Sequence, residues 1–283
     1  MSQKPPTPPN PPDPPILPPN ANGDDVLKGV VRWVQQSPFR RPVDIAPEVQ
    51  GWDARVQEYA YEFRRNRITN YKHVHHFVLP IIAAIQEIIE KSDWNEVNGP
   101  NDLNDQDRQQ LEFRAETICG WGGNPKGGGY GDTWRVVKSA HLGGRFNYAP
   151  MNSGWSKVAS FATRPNAINA QTIWDSRVST SVVWRIDQIL HHNRLNQHPM
   201  DDCHLGVVPT RGRAGTRPRN MNFPWPNAYG LWPYHLGGSQ VVRRMVQILN
   251  EPGNRYPRMP QPDGILAEWD VFGVGLVLFM DGY

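Results

Sequence analysis

Residues 154–178 read GWSKVASFATRPNAINAQTIWDSRV. Lys157 heads a short apolar run, and Asp175 follows 18 residues later, after an irregular connection. Asp175 is the only acidic residue between Asp132 and Asp187. Just beyond it, Val178, Val182, Val183, Ile186, Ile189 and Leu190 recur at helical spacing. That periodicity predicts an amphipathic helix with Asp175 at its N-cap, where a carboxylate satisfies free amides and the helix dipole. A lysine amine attacks an electrophilic carbon only when neutral, so its pKa must fall well below the ordinary value of about 10.4. Burial against Trp155, Val158 and Phe161, beside other cations, drives it that way. A carboxylate close by stabilises a developing cation or takes up a proton. If the two side chains meet, they can form and resolve a Schiff base. The same spacing fits a solvated helix lysine and an ordinary capping aspartate. On the residues alone both readings stay open.

Ser156-Lys157-Val158-Ala159-Ser160-Phe161, followed by Ile173-Trp174-Asp175-Ser176-Arg177-Val178, resembles the active-site segment of helix-hairpin-helix DNA glycosylases, most closely the 8-oxoguanine branch. The resemblance covers about 25 residues and, beyond them, only an order of helices. It implies a mainly α fold, with Lys157 as the nucleophile on the sugar C1′ and Asp175 as the catalytic carboxylate. It also implies double-stranded DNA with a damaged or modified base as partner, 8-oxoguanine being one candidate. The nucleotide would be flipped from the stack, because C1′ is closed to attack within it. Ser153, Gly154 and Ser156 would be the hairpin's contact with the DNA backbone, joined by Arg177. The family hairpin alternates two glycines before the lysine, whereas Asn152-Ser153-Gly154-Trp155-Ser156 holds one. The chemistry needs no cofactor, and no metal-ligand spacing is evident. His73, His75 and His76 lack a second ligand set, and Cys203-His204 is too small a cluster. The alternative from a different class is a DNA-binding or phage-defence component with this fold and no lyase chemistry. A narrower one is an enzyme that excises modified phage bases.

The charge distribution bears on partners. The 283-residue chain has a net charge of +3, but residues 133–250 hold 14 Lys/Arg against 4 Asp/Glu, a local net of +10. The remainder holds 16 against 23, a net of −7. Such asymmetry points to a polyanion for the basic part, the DNA-facing part in this reading. Arg211, Arg213, Arg217 and Arg219 lie in a long irregular stretch, residues 193–235, and are candidates for phosphate contacts. Phe223, Trp225, Tyr229, Trp232 and Tyr234 follow them, suited either to stacking on a base or to packing beneath the loop. Trp121, Trp155 and Asp270 are candidates for a base pocket, with core packing or exposure as the alternatives.

The rest of the chain sets the frame. Mean hydropathy is −0.61, and no apolar run reaches the roughly 18 residues of a membrane helix. With two cysteines no disulfide framework is expected, and MSQKPPTPP lacks the apolar run of an export signal. A cytoplasmic, nucleoid-associated location in a prokaryote is the expectation. Residues 1–20 contain 10 of the 28 prolines. A disordered tail over 1–22 is expected, fit to dock a protein partner or simply to aid solubility. Residues 23–283 then form one glycosylase-like helical domain. Helices are predicted from Asp24 or Asp25, over 52–63, 69–91 with a kink or restart at Pro80, 106–119, 133–142, from Asp175, 239–249 and 263–280. No strand is predicted. The glycine-rich stretch 122–131 lacks the terminal Gly-Lys-Ser/Thr of a phosphate-binding loop.

Overall fold

Short polar side chains start most of the helices. Asn22 caps α1 (Gly23–Gln36). Its Oδ1 accepts from the Asp25 N–H at 3.1 Å, and the Asp25 carboxylate accepts from the Asn22 N–H at 3.0 Å. This reciprocal pair satisfies amides that a helix start leaves open. Asn70 caps α3 (Tyr71–Lys91), Asn104 caps α4 (Asp105–Trp121) and Asn152 caps α6 (Ser153–Phe161). Asp175 caps α7 (Ser176–His192), and Asp270 caps α9 (Val271–Asp281). Between these come α2 (Trp52–Gln57), α5 (Tyr130–His141) and α8 (Trp232–Asn250). The computed structural model describes residues 11–40, 47–60, 70–92, 94, 99, 101–122, 127–143, 149–208, 220–229 and 231–282. Among them the chain is mainly helical, and no helix is long and apolar enough to cross a membrane.

The helices pack as two neighbouring groups. α7 lies against α9 and α1, and α9 also meets α2 and α8. α6 lies against α3, α4 and α5. Each buries the apolar face its sequence predicts, such as Val178, Val182, Val183, Ile186, Ile189 and Leu190 of α7. A buried polar knot locks the first group. Asp281 accepts from Arg185 Nε at 2.9 Å, Arg185 Nη2 at 2.7 Å and Ser181 Oγ at 2.6 Å, and it pairs with Arg55. Removing one partner from such a knot costs about 3–5 kcal/mol, because a charge is left buried and unmatched.

Several expectations are corrected. The tail is not disordered through residue 22. Pro12 O accepts from Trp33 Nε1 at 2.8 Å, Pro15 O accepts from Asn193 Nδ2 at 3.0 Å, and the Leu17 N–H donates to Asn193 Oδ1 at 2.8 Å. Residues 11–22 are therefore bonded to α1 and to the end of α7, while 1–10 lie outside the described residues. Pro80 neither restarts nor breaks α3. It and His76 are both exposed, so the carbonyl that loses its amide partner can turn to water. α8 begins seven residues before the predicted Ser239, with Pro233 in its first turn, where no amide is needed. Gly237 and Gly238 sit inside it because side chains would collide, with the Cys203 carbonyl at 1.9 Å and the Trp174 ring at 2.2 Å. α9 begins at Val271 rather than Asp263, and a two-residue strand pair, β3 (Met259–Pro260) with β4 (Leu266–Ala267), precedes it. A second antiparallel pair joins β1 (Pro38–Arg40) to β2 (Glu48–Gln50).

Candidate active site

The start of α6 faces inward. Asn152 Oδ1 accepts from the Trp155 N–H at 2.9 Å and fixes the first turn. Four residues after Ser153, Lys157 turns back along its own helix. Its Nζ donates to Ser153 Oγ at 2.7 Å and to the Ser153 carbonyl at 3.1 Å. Lys157 is only 5% exposed. Burial pushes its pKa down, and the Arg177 guanidinium acts in the same direction, while Asp175 and Cys119 pull it up. A lowered pKa raises the share of the neutral, nucleophilic amine at neutral pH.

Asp175 enters from the other helix group. The backbone before it is held by Ser156 Oγ, which accepts from the Trp174 N–H at 2.7 Å. Asp175 Oδ1 accepts from the N–H groups of Arg177 at 3.0 Å and Val178 at 3.1 Å. The carboxylate is buried, and Lys157 feels its charge. Capping fixes its orientation, which is what a group meant to act on a developing charge requires.

The two residues share the wall of one cavity, whose empty space is about 470 Å³ counting the open solvent at its mouth. It opens where the helix groups meet. Trp121 comes from α4, Lys157 and Ser160 from α6, Thr172, Ile173 and Asp175 from the connection, and Val178 from α7. Tyr59 and the α9 face of Val271, Phe272, Gly275, Leu276 and Phe279 close it. Trp121 is held by Phe77 and Phe161, each 5.7 Å away between ring centroids.

Of the residues singled out from sequence, the structure brings together Lys157, Asp175, Trp121 and Ser153. Others lie elsewhere. Ser156 is fully buried, bonded to the Trp174 amide and 3.3 Å from His235 Nδ1, so it has no surface to present to DNA. Gly154 is also buried in the first turn of α6. Arg177 is 8% exposed, with its guanidinium 4.4 Å above the Phe279 ring, so it is placed to act on Lys157 rather than on a phosphate. Trp155 is core and outside the cavity wall. Asp270 accepts from the Gly273 N–H at 2.7 Å as a helix cap. Burial pushes its pKa up, and the amides of Gly273 and Phe272 draw it down. Its neighbours Val271 and Phe272, not Asp270 itself, reach the cavity. Arg211, Arg213, Arg217 and Arg219 lie outside the described residues.

Sequence reasoning left one polar neighbour of the site unresolved. Tyr229 appears there only among aromatics near the basic loop. Its hydroxyl is hydrogen-bonded to the Ser153 side chain and to the Ser176 backbone, which makes a chain Lys157–Ser153–Tyr229. Burial and the Asp175 charge push the Tyr229 pKa up, so the hydroxyl is protonated at neutral pH. The segment carrying it is tied down by Asp187, which is fully buried. Asp187 accepts from the N–H groups of Asn222 and Phe223 at 2.8 and 3.0 Å and from Trp225 Nε1 at 3.0 Å. No local signal marks Tyr229, because its partners are 76 and 53 residues away in sequence. No family model, no curated protein and no solved structure matches the chain.

Proposed function

We propose that the chain is a DNA glycosylase with abasic-site lyase activity. The observation that carries this reading is a buried lysine amine and a capped carboxylate in the wall of one cavity, with burial lowering the lysine pKa. In the proposed reaction neutral Lys157 Nζ attacks C1′ of a flipped nucleotide. The N-glycosidic bond breaks, and the base leaves with the bonding electrons and gains a proton. Asp175 stabilises the positive charge that develops on the sugar. Loss of the amine proton and opening of the sugar ring give a Schiff base between Nζ and C1′. Loss of a C2′ proton then expels the 3′ phosphate by β-elimination, and water releases the enzyme. The local net charge of +10 over residues 133–250 supports a polyanionic partner. The resemblance of the Lys157 and Asp175 segments to 8-oxoguanine glycosylases supports an oxidised or otherwise modified base.

Borohydride trapping on a labelled abasic duplex tests the reading. The wild type is expected to give a covalent adduct that Lys157→Gln abolishes and Asp175→Asn slows. No adduct with the wild type, alongside equal DNA binding by wild type and Lys157→Gln, would leave a binding protein without lyase chemistry.

A further inference from the structure

The cavity contains a polar group that the proposed chemistry does not use. Thr172 is 1% exposed and lines the cavity, and its Oγ1 is buried with no hydrogen-bond partner among the described residues. A buried hydroxyl without a partner is disfavoured by about 1–3 kcal/mol, so such a group points to something that binds there. Its position is fixed, because the Thr172 N–H donates to Ser239 Oγ at 3.2 Å. Gly275 lies opposite, and a Cβ there would come within 3.0 Å of the Thr172 hydroxyl. The glycine therefore leaves the hydroxyl open to the cavity. Lys157 and Asp175 carry the chemistry, and Ser160 Oγ donates to the Gln171 carbonyl at 3.0 Å. The remaining surface is hydrocarbon or aromatic, from Ile173, Val178, Phe272, Leu276 and Phe279 among others.

Resting on the glycosylase reading, we infer that Thr172 is a specificity-determining residue whose hydroxyl pairs with the polar edge of the flipped base. The apolar walls then select a flat, neutral heterocycle and disfavour a base that carries a sugar, whose hydroxyls would lose water without finding partners. One hydroxyl can donate or accept, so a carbonyl or a ring N–H on the base would each satisfy it.

The test compares wild type, Thr172→Val and Thr172→Ser in single-turnover excision from duplexes bearing 8-oxoguanine, hypoxanthine or glucosylated 5-hydroxymethylcytosine. Abasic duplex trapping is run beside it, since that substrate has no base for Thr172 to read. Valine keeps the shape and removes the hydroxyl. Excision of the neutral base is expected to fall about 10- to 100-fold in Thr172→Val, the effect of one lost buried hydrogen bond. Thr172→Ser should restore most of it, abasic trapping should not change, and the melting temperature of Thr172→Val should not fall. Equal excision by wild type and Thr172→Val overturns the inference. So does a parallel loss of abasic trapping, or excision confined to the glucosylated base. A wild type that gives no abasic adduct removes the glycosylase reading first and this inference with it.

Discussion

Gly122→Ala separates the lysine's position from the stability of the fold. Gly122 ends α4 with φ −73° and ψ −2°, ordinary right-handed helical values that alanine adopts freely. A Cβ added there would stand 2.5 Å from Lys157 Cδ, 2.6 Å from Cε and 3.4 Å from Nζ. Carbon atoms in contact sit about 3.5–4.0 Å apart, so the lysine stem must move by about 1 Å. The stem is flexible and the obstacle is its far end, so the surrounding helices need not shift. Alanine at a compatible position adds about 0.4–1 kcal/mol by restricting the unfolded chain. A 1 Å displacement of a positioned nucleophile lowers the rate by about 100-fold. Gly122→Ala is therefore expected to trap abasic DNA about 100-fold more slowly while its urea midpoint stays level or rises. Rates from borohydride quenching at timed intervals and urea melts read the two effects separately. A trapping rate within about threefold of wild type would mean that Lys157 does not act from this position. A loss of several kcal/mol in stability would mean that the fold, not the lysine, takes up the strain.

Three further outcomes are expected. Ser153→Ala removes the hydroxyl that Lys157 Nζ reaches at 2.7 Å. Losing an acceptor destabilises the ammonium, so the Lys157 pKa should fall further and the rising limb of the pH–rate profile should move to lower pH; a shift to higher pH would contradict this. His235 is fully buried, and burial first, then Arg243, lowers its pKa to about 3. The unfolded chain takes up a proton below about pH 6.5 and the folded one does not, so stability is complete above that pH and drains as pH falls towards 3, by on the order of 5 kcal/mol. Urea melts between pH 7 and 4 check this, and His235→Gln should flatten the slope. Asp187→Ala should destabilise by about 2–4 kcal/mol, because it strands the amides of Asn222 and Phe223 and the Trp225 indole. It should also weaken binding to duplex DNA, measured by anisotropy, if residues 222–229 help to present the basic loop.

What the sequence made legible is what nearby residues decide. Asp175 reads as an N-cap because a cap and its amides lie within three residues, and Arg177 and Val178 supply them. The apolar faces of α1 and α7 read correctly because side chains three and four apart share a face. Where the reading failed, distant partners decided. Residues 11–22 look unstructured by composition, yet Trp33, 21 residues beyond Pro12, and Asn193, 178 beyond Pro15, supply their hydrogen bonds. α8 gains its first seven residues although Gly237 and Gly238 weaken a helix, and both positions are glycine because Trp174 and the carbonyl of Cys203 leave no room for side chains.

The same division runs through the site. The helix register puts Ser153 one turn before Lys157, and this places its carbonyl and hydroxyl under the amine. Nothing local brings Asp175, Tyr229 or Thr172 there. The cavity exists only because α9 packs on α7 and α6 packs on α4, and each pairing was invisible in the spacing of either helix alone. Its apolar walls follow from α9 being apolar almost all round, a pattern that reads as burial and conceals that one edge, Phe272 to Phe279, faces empty space. Burial of that edge also acts on the chemistry. Burial lowers the Lys157 pKa, and this wall lines the cavity that the amine shares. Replacing Leu276 of that wall with a charged residue such as glutamate would open the site to water and set a second carboxylate near the amine. Both effects raise the Lys157 pKa, so trapping at neutral pH should fall and recover as pH rises. A loss that no increase in pH restores would show that the wall shapes the cavity without tuning the amine.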